Sequence, residues 1–188
     1  MNSLKLYMIL VGCRPKGRHI EQHDICFCIG ESLKAIVPDI QRFWPGSGKM
    51  HIDAWREVTE VNGYGINVVT REGNDMVKPA EQLYFLNLGG YKPGEFEEYH
   101  YKMLTVSAGK SEAIKLAKQT AFYKHTGFNG AESHIDDKYG VDVEDIYEIT
   151  DILPSHSLEK YKVHLSPSAV TSKDEWHVGY TMLSKIAE

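Results

Sequence analysis

The stretch HIDAWREV at residues 51–58 and the stretch HIDDKYGV at residues 134–141 begin with the same His-Ile-Asp tripeptide, and a valine follows each aspartate by five residues. Internal repeats are sought first because a missed repeat changes the interpretation of the whole fold. Over residues 51–66 and 134–149, six of 16 positions are identical. Chance gives about one identity in seventeen positions. The two stretches therefore indicate a duplicated module.

An earlier pair of stretches repeats in the same order. Residues 6–30 align with residues 83–107, and six of 25 positions are identical. The identities are Leu6/Leu83, Tyr7/Tyr84, Gly12/Gly89, Gly17/Gly94, Glu21/Glu98 and His23/His100. Because both alignments run in chain order, duplication explains them better than coincidence.

The residue pattern within each copy predicts an α+β unit. The apolar run at residues 6–11 is typical of a central strand covered on both faces, and a second strand follows after a turn. Residues 32–44 have apolar side chains at helical spacing, and Pro38 is expected to kink this helix or begin its second segment. The Asn62-Gly63 pair predicts a two-residue hairpin turn. Each copy is therefore expected to be a ββαββ unit, with a helix packed on a mostly antiparallel sheet.

The repeats also predict how the chain is divided. We expect a first repeat (1–80), a second repeat (81–153) and a C-terminal extension (154–188) that packs on the repeats. A copy of about 80 residues is marginally stable by itself. The copies are therefore expected to form one body with pseudo-two-fold symmetry, with residues 6–11 and 83–88 in equivalent central strands.

Composition narrows the class of protein. The chain is 42% hydrophobic and 25% charged, as in soluble globular proteins. Its longest apolar run, residues 6–11, is too short to span a bilayer, so we expect a soluble, cytoplasmic protein without a membrane partner. The net charge is −5, and the acidic excess lies in residues 83–188. Because no basic face is available to neutralise phosphates, nucleic-acid binding is disfavoured.

The three cysteines, Cys13, Cys26 and Cys28, do not form a disulfide framework. Residues 26 and 28 of one strand share a face, too close along the chain for a relaxed disulfide. We expect buried strand residues in a reducing compartment. A Cys-x-Cys metal clip assisted by His23 is the weaker alternative, since structural zinc takes four good ligands.

Residues 8–32, MILVGCRPKGRHIEQHDICFCIGES, followed by FWP at 43–45 and by HIDAWREV, resemble a small bacterial family. It is the domain-of-unknown-function family numbered 1543, whose members can carry the domain twice. The second copy departs from the pattern, because Gly90 replaces Cys13 and Tyr99 replaces Gln22. The resemblance implies two copies of one domain and a bacterial source, and it implies no activity.

Four polar side chains recur in both copies, as a Glu-x-His pair and a His-x-Asp pair. Residues two apart on a strand leave from one face, so adjoining strands would form a Glu/His/His/Asp cluster that binds a ligand. The candidate residues are Glu21, His23, His51, Asp53, Glu98, His100, His134 and Asp136. His23, His51 and Asp53 are also candidate metal ligands. The preferred interpretation of these side chains is nevertheless structural, as cross-strand or turn-anchoring hydrogen bonds with no ligand.

The first copy is the favoured site. It combines this cluster with a cationic loop and with polar neighbours, namely Arg14, Lys16, Arg18, Gln22 and Asp24. The second copy instead crowds acidic residues near His100, which repels anionic ligands. Alanine at His23 or His51 is expected to abolish ligand binding, whereas alanine at His100 or His134 is expected to reduce mainly stability.

These features favour a non-catalytic module that binds a small molecule or a protein, and they allow a homo-oligomer. The alternative is a small hydrolase that depends on a metal or on a His/carboxylate general base, built on the same Glu/His/His/Asp cluster. The binding module is preferred because the sequence contains no catalytic motif of known geometry. The catalytic residues, the cofactor and the partner stay unknown from sequence.

Overall fold

Strands are the main elements of the chain, and the computed structural model is α+β with mostly antiparallel sheets, as predicted. It describes residues 3–71, 79–120, 124–125, 146–169 and 174–187, and the backbone of 134–135. The chain divides into two units, one formed by Met1–Asp75 with Leu153–Glu188 and the other by Met76–Ile152. Within the described residues, every helix is too short or too polar to cross a membrane.

The strands of the described residues are β1 (Lys5–Cys13), β2 (Gln22–Gly30), β3 (Met50–Glu57), β4 (Glu60–Val61), β5 (Tyr64–Thr70), β6 (Gln82–Tyr91), β7 (Glu98–Ser107), β8 (His134–Ile135), β9 (Ile146–Glu148), β10 (Tyr161–Pro167) and β11 (His177–Met182). The helices are α1 (Val37–Phe43), α2 (Lys110–Ala117), α3 (Ile149–Ile152), α4 (Ser155–Leu158) and α5 (Leu183–Ala187).

The first unit is built on an antiparallel sheet with the strand order β11-β3-β1-β2. Strand β1 lies inside this sheet, and its side chains are buried on both faces, as its continuous apolar sequence predicts. On one face, Tyr7 and Ile9 share a core with Val37 and Ile40 of α1. The sheet is thus covered by the helix on the face opposite to Gly12.

Pro38 begins a second helical segment, as predicted. A 3₁₀ helix spans Lys34–Ile36, and α1 begins at Val37 with Pro38 in its first turn. A proline in the first turn costs no hydrogen bond, because the first N–H groups of a helix have no partner within the helix. The proline therefore marks a boundary between segments.

The Asn62-Gly63 turn is confirmed, but it does not pair the two long strands that flank it in the sequence, β3 and β5. Both residues have positive φ, 41° and 81°, as a type I′ turn requires. The turn joins β5 to the two-residue β4 and not to β3. Strand β5 instead pairs along its length with β10, in a second sheet of order β10-β5-β4.

The C-terminal extension adds a strand to each sheet of the first unit. The alternating stretch YKVHLS at residues 161–166 predicts a strand and lies in β10, and residues 177–187 form β11 followed by α5. Asp174 attaches the extension to the end of β3: its Oδ1 accepts hydrogen bonds from the Thr59 amide at 3.0 Å and hydroxyl at 2.6 Å. Its Oδ2 lies 3.3 Å from the Arg56 guanidinium. The extension therefore completes the first unit.

The second unit has a sheet of order β7-β6-β8, with β9 also paired to β6. The central strand β6 packs Leu86 and Leu88 against Ala113 and Ala117 of α2. Apolar side chains at helical spacing over residues 110–125 predict a longer helix, but α2 ends at Ala117. Residues 121–123 of the prediction lie outside the described residues. Strand, strand, helix and strand follow one another as in the first unit.

The alignment of the two copies is wrong at its C-terminal end. Strand β9 pairs Ile146 with Leu86 and Glu148 with Tyr84. In the first unit, the residues equivalent to Tyr84 and Leu86 are Tyr7 and Ile9 of β1. They pair with residues at the end of β3, not with residues 64–66. The identities Tyr64/Tyr147 and Ile66/Ile149 therefore do not occupy equivalent places, because the second copy has more residues between its His-Ile-Asp stretch and this strand pairing.

Tyr7 gives the fold a testable dependence on alkaline pH. Burial, then the Glu57 carboxylate nearby, raises its pKa to about 12. A folded-state pKa above the ordinary value of about 10 means that its contribution to stability is complete below pH 10 and is lost as the pH rises toward 12. We expect the free energy of unfolding in urea to fall less between pH 9 and pH 11 in Tyr7→Phe than in the unmodified protein. Equal losses in both proteins would contradict this assignment.

Candidate functional site

The strand register places two histidines on either side of a glycine. Gly12 of β1 pairs with His23 of β2 and also with His51 of β3. Residues directly opposite one another in antiparallel strands present their side chains on the same face. The two imidazoles therefore lie on one face of the sheet, across the position where Gly12 has no side chain.

Asp53 belongs to the same group and lies at a β-bulge. In the pairing of β1 with β3, Leu10 is opposite Ala54 and Val11 is opposite Ile52, so Asp53 is the extra residue. A bulge changes the direction of a side chain relative to regular alternation. The carboxylate of Asp53 contacts the imidazole of His51. The sequence also predicts this contact, because residues two apart on a strand share a face.

Four side chains converge at this point. The Asp53 Oδ2 atom lies 3.2 Å from Nε2 of His23 and 3.2 Å from Nε2 of His51. Glu21 lies just before β2 and contacts the same two nitrogens. Its Oε2 atom lies 3.3 Å from Nε2 of His23, and its Oε1 atom lies 3.3 Å from Nε2 of His51. The structure thus brings Glu21, His23, His51 and Asp53 together around the Nε2 atoms of both imidazoles.

Two atoms of this cluster are buried without a hydrogen bond. They are His51 Nε2 and Asp53 Oδ2, and neither has a partner of acceptable geometry among the described residues. Their contact at 3.2 Å lacks the angles of a hydrogen bond, so the two atoms do not aim at each other. A buried polar atom left unpaired costs about 1–3 kcal/mol, and in native proteins such an atom often contacts a bound ion or an ordered water molecule.

Gly12 is a site residue that the sequence analysis missed. A Cβ atom at Gly12 would lie 2.3 Å from His51 Nε2 and 2.6 Å from Asp53 Oδ2. Both Gly12 and Gly17 are explained from sequence as turn residues; this holds for Gly17, with φ of 84°, but Gly12 lies within β1. A glycine inside an apolar strand is itself a signal of close approach.

His51 is held in place by its neighbours. It is only 3% exposed, and its ring stacks on Tyr180 of β11 with centroids 4.3 Å apart. Glu21 and His23 are instead nearly half exposed. The cluster therefore has a fixed inner side and a side open to solvent. Tyr180 was not foreseen, because it comes from the extension, more than 120 residues away along the chain.

Cys13 lies beside the cluster on β1, paired with Gln22 and Met50. Burial raises the pKa of its thiol, and the negative charge of Glu21 raises it further. A thiol with a raised pKa is a poor nucleophile and a poor metal ligand at neutral pH. Cys13 therefore acts as a buried apolar residue.

The Cys-x-Cys metal clip is wrong. Cys26 and Cys28 are buried and free, and they belong to the apolar core under α1. Their sulfur atoms lie 3.5 Å apart. His23 is turned toward Glu21 and Asp53 and not toward the sulfurs, because it lies on the opposite face of β2.

The polar neighbours predicted for the first copy bind mainly to the backbone. Arg14 Nε donates to the Arg18 carbonyl at 3.5 Å, and the Gln22 side chain donates to the Glu21 carbonyl at 3.3 Å. The Asp24 carboxylate accepts from the Ile25 amide at 2.7 Å. These contacts shape the loop and the start of β2.

In the second unit, Glu98 and His100 lie on β7 and His134 lies on β8. The Tyr91 hydroxyl donates to Glu98 Oε1 at 2.7 Å. Asp136, the fourth candidate, lies outside the described residues. The placement of the second-copy candidates is thus known for three of the four, and for His134 only along the backbone.

Comparisons with known proteins bear on the family and the fold. The model of the family described as Domain of Unknown Function (DUF1543) matches residues 18–68, which supports the resemblance in the first half of the chain. Among solved structures, the chain is similar to the crystal structure of a protein Il1583 from Idiomarina loihiensis. The TM-score is 0.57 at 23% identity, over 96% of this chain and 97% of that chain. This likeness shows the fold alone. No curated protein matches the chain.

Proposed function

We propose that the first unit binds a divalent transition-metal ion through Glu21, His23, His51 and Asp53, and that the chain is a metal-binding module. The observation that supports this most is the pair of buried atoms, His51 Nε2 and Asp53 Oδ2, that lie close together without hydrogen bonding. Imidazole nitrogens and carboxylate oxygens are the ligands of zinc-like ions.

The four nitrogen-to-oxygen contacts of the cluster fit such an ion. Ligands at about 2.0–2.1 Å around a tetrahedral Zn²⁺ ion lie about 3.3 Å from one another. The nitrogen-to-oxygen distances within the cluster are 3.2 and 3.3 Å. The ligand atoms of Glu21, His23 and His51 all lie within 4.8 Å of one another. Mg²⁺ and Ca²⁺ prefer oxygen ligands alone, so two imidazoles favour zinc-like ions.

We further propose that the chain is a tandem duplication of one domain, with repeats at 1–80 and 81–153. It is supported by the equivalent central strands and by one shared register, in which Gly12 and Gly89 each pair with two histidines. The pseudo-two-fold relation between the repeats stays a prediction.

The metal proposal is tested by titrating chelator-treated, tag-free protein with Zn²⁺ in a calorimeter. His23→Ala is expected to weaken binding at the first unit by at least about 100-fold, since even the loss of a group that only orients a ligand costs 10- to 100-fold. His23 suits this test because it is nearly half exposed, so its loss leaves the core intact.

The matched control is His19→Ala, which removes an exposed histidine two residues before Glu21. It is expected to leave Zn²⁺ affinity unchanged. Equal affinity in His23→Ala and in the unmodified protein would exclude this cluster as the site and favour the structural interpretation of the four side chains.

A metal-dependent hydrolase is the second candidate. It is favoured by the open side of the cluster, where Glu21 and His23 are nearly half exposed. An open coordination position is what separates catalytic from structural zinc sites. The same two variants discriminate the candidates, because a hydrolase would lose Zn²⁺-dependent ester hydrolysis in His23→Ala and keep it in His19→Ala, whereas a binding module would show none in either.

A further inference from the structure

Exposed apolar side chains are concentrated on the last strand of the first unit. Among the described residues, nine large apolar side chains are exposed, and four of them lie within residues 176–182. The exposed fractions on β11 are 79% for Val178, 66% for Tyr180 and 40% for Met182. We call these three side chains the apolar strip. Contiguous exposed apolar surface marks binding sites in soluble proteins, so the apolar strip is a candidate binding surface.

The apolar strip lies on the same sheet face as the candidate metal cluster. Met182 is directly opposite His51 in the pairing of β11 with β3, and directly opposite residues present their side chains on one face. Tyr180 precedes Met182 by two residues, and its ring stacks on the His51 ring with centroids 4.3 Å apart. A ligand that reaches the cluster therefore lies beside the apolar strip.

Val178 extends the apolar strip away from the cluster. It is opposite Ala54, and Ala54 is opposite Leu10. Leu10 precedes Gly12 by two residues on β1, so all of these residues share one face of the sheet. Ala54 follows His51 by three residues on β3, so the apolar strip continues for about 10 Å along the strand direction.

The loop that joins β1 to β2 supplies positive charge next to the cluster. Arg14, Lys16 and Arg18 are exposed, and this loop has no acidic residue before Glu21. A divalent ion would offset the carboxylate charges of Glu21 and Asp53, and the loop would then leave a local excess of positive charge. The surroundings of a bound ion therefore favour an anionic group on its open side.

We propose that the first unit binds a carboxylic acid with an apolar tail. The carboxylate lies at the open side of the ion, where Glu21 and His23 are nearly half exposed, and a tail of up to about 10 Å lies on the apolar strip. This inference rests on the proposed function, because the ion holds the carboxylate. A few polar groups that orient a ligand beside apolar surface that adds affinity are typical of small-molecule sites.

The test compares acetate with octanoate, each titrated calorimetrically into the full-length protein loaded with Zn²⁺. The two acids share the carboxylate and differ in the length of the apolar tail. A fully buried methylene group strengthens binding about fourfold, and one covered on a single side about twofold. Summed over the tail, octanoate is expected to bind roughly 60-fold more tightly than acetate. Removal of Zn²⁺ is expected to weaken the binding of both acids at least about 10-fold.

Val178→Gln is the variant that tests the apolar strip. It is expected to lower the affinity for octanoate about 5-fold, as the loss of a half-buried valine contact implies, and to leave the affinities for acetate and Zn²⁺ unchanged. Val178 is the most exposed of the three side chains, so its replacement leaves the core intact. Tyr180 and Met182 are less suitable because both lie beside His51.

Phe43→Gln is the matched control. It removes another exposed large apolar side chain, at the end of α1, the helix that covers the opposite face of the sheet. It is expected to leave the affinities for octanoate, acetate and Zn²⁺ unchanged. An equal loss of octanoate affinity in Phe43→Gln and Val178→Gln would contradict a specific role of the apolar strip.

The failure of this inference is distinguishable from the failure of the proposed function. Absence of Zn²⁺ binding would overturn the proposed function, and this inference with it. Normal Zn²⁺ binding with equal affinities for acetate and octanoate would overturn this inference alone, as would octanoate binding that does not depend on Zn²⁺. A dimer in sedimentation velocity that Val178→Gln dissociates, without a preference for octanoate, would also overturn it and assign the apolar strip to a second copy of the chain.

Discussion

Gly12→Ala is expected to abolish Zn²⁺ binding by the first unit, with an affinity loss of at least about 100-fold, equivalent to about 2.7 kcal/mol. The added Cβ atom would lie 2.3 Å from His51 Nε2 and 2.8 Å from His51 Cε1. His51 is buried and stacked on Tyr180, so its ring cannot move aside without displacing β11. Overpacking of this kind also costs about 1–3 kcal/mol of stability.

The measurement combines calorimetric titration with thermal unfolding of the metal-free protein. Gly109→Ala is the matched control, because Gly109 has an extended backbone and nothing within 4 Å of an added Cβ atom. It is expected to change neither Zn²⁺ affinity nor the midpoint of unfolding appreciably. A Gly12→Ala variant that binds Zn²⁺ normally would show that the space over Gly12 is not part of the site.

Asp174→Ala is expected to destabilise the first unit by about 3–5 kcal/mol, the usual cost of removing one partner of a buried ion pair. The Asp174 side chain is 1% exposed and lies 3.3 Å from the guanidinium of Arg56. It also accepts two hydrogen bonds from Thr59. Its loss removes the anchor between the extension and the end of β3.

Thermal and urea unfolding of Asp174→Ala measure this effect, and a midpoint lower by roughly 6–20 °C is expected for a chain of this size. Glu175→Ala removes the neighbouring, exposed carboxylate and is expected to change stability by less than about 0.5 kcal/mol. Similar losses in the two variants would show that the burial of Asp174 is not what stabilises the extension. Because Tyr180 follows in the same segment, Asp174→Ala is also expected to weaken Zn²⁺ binding.

The sequence by itself determined the features that depend on near neighbours along the chain. The continuous apolar run made β1 a central strand, Asn62-Gly63 made a turn, and Pro38 began a helix segment. Each follows from local sterics or from side-chain burial within a few residues. The i, i+2 spacing of Glu21 and His23 likewise placed both side chains at one end of β2.

Only the tertiary structure decided which distant segments meet. The extension supplies β10 and β11, so that β5 leaves β3 for another sheet and Tyr180 covers His51. The bulge at Asp53 and the altered spacing before β9 also depend on how whole strands fit against β1 and β6. Strand partners and register are selected by burial over the whole sheet, between segments far apart in the chain, and no local pattern encodes that choice.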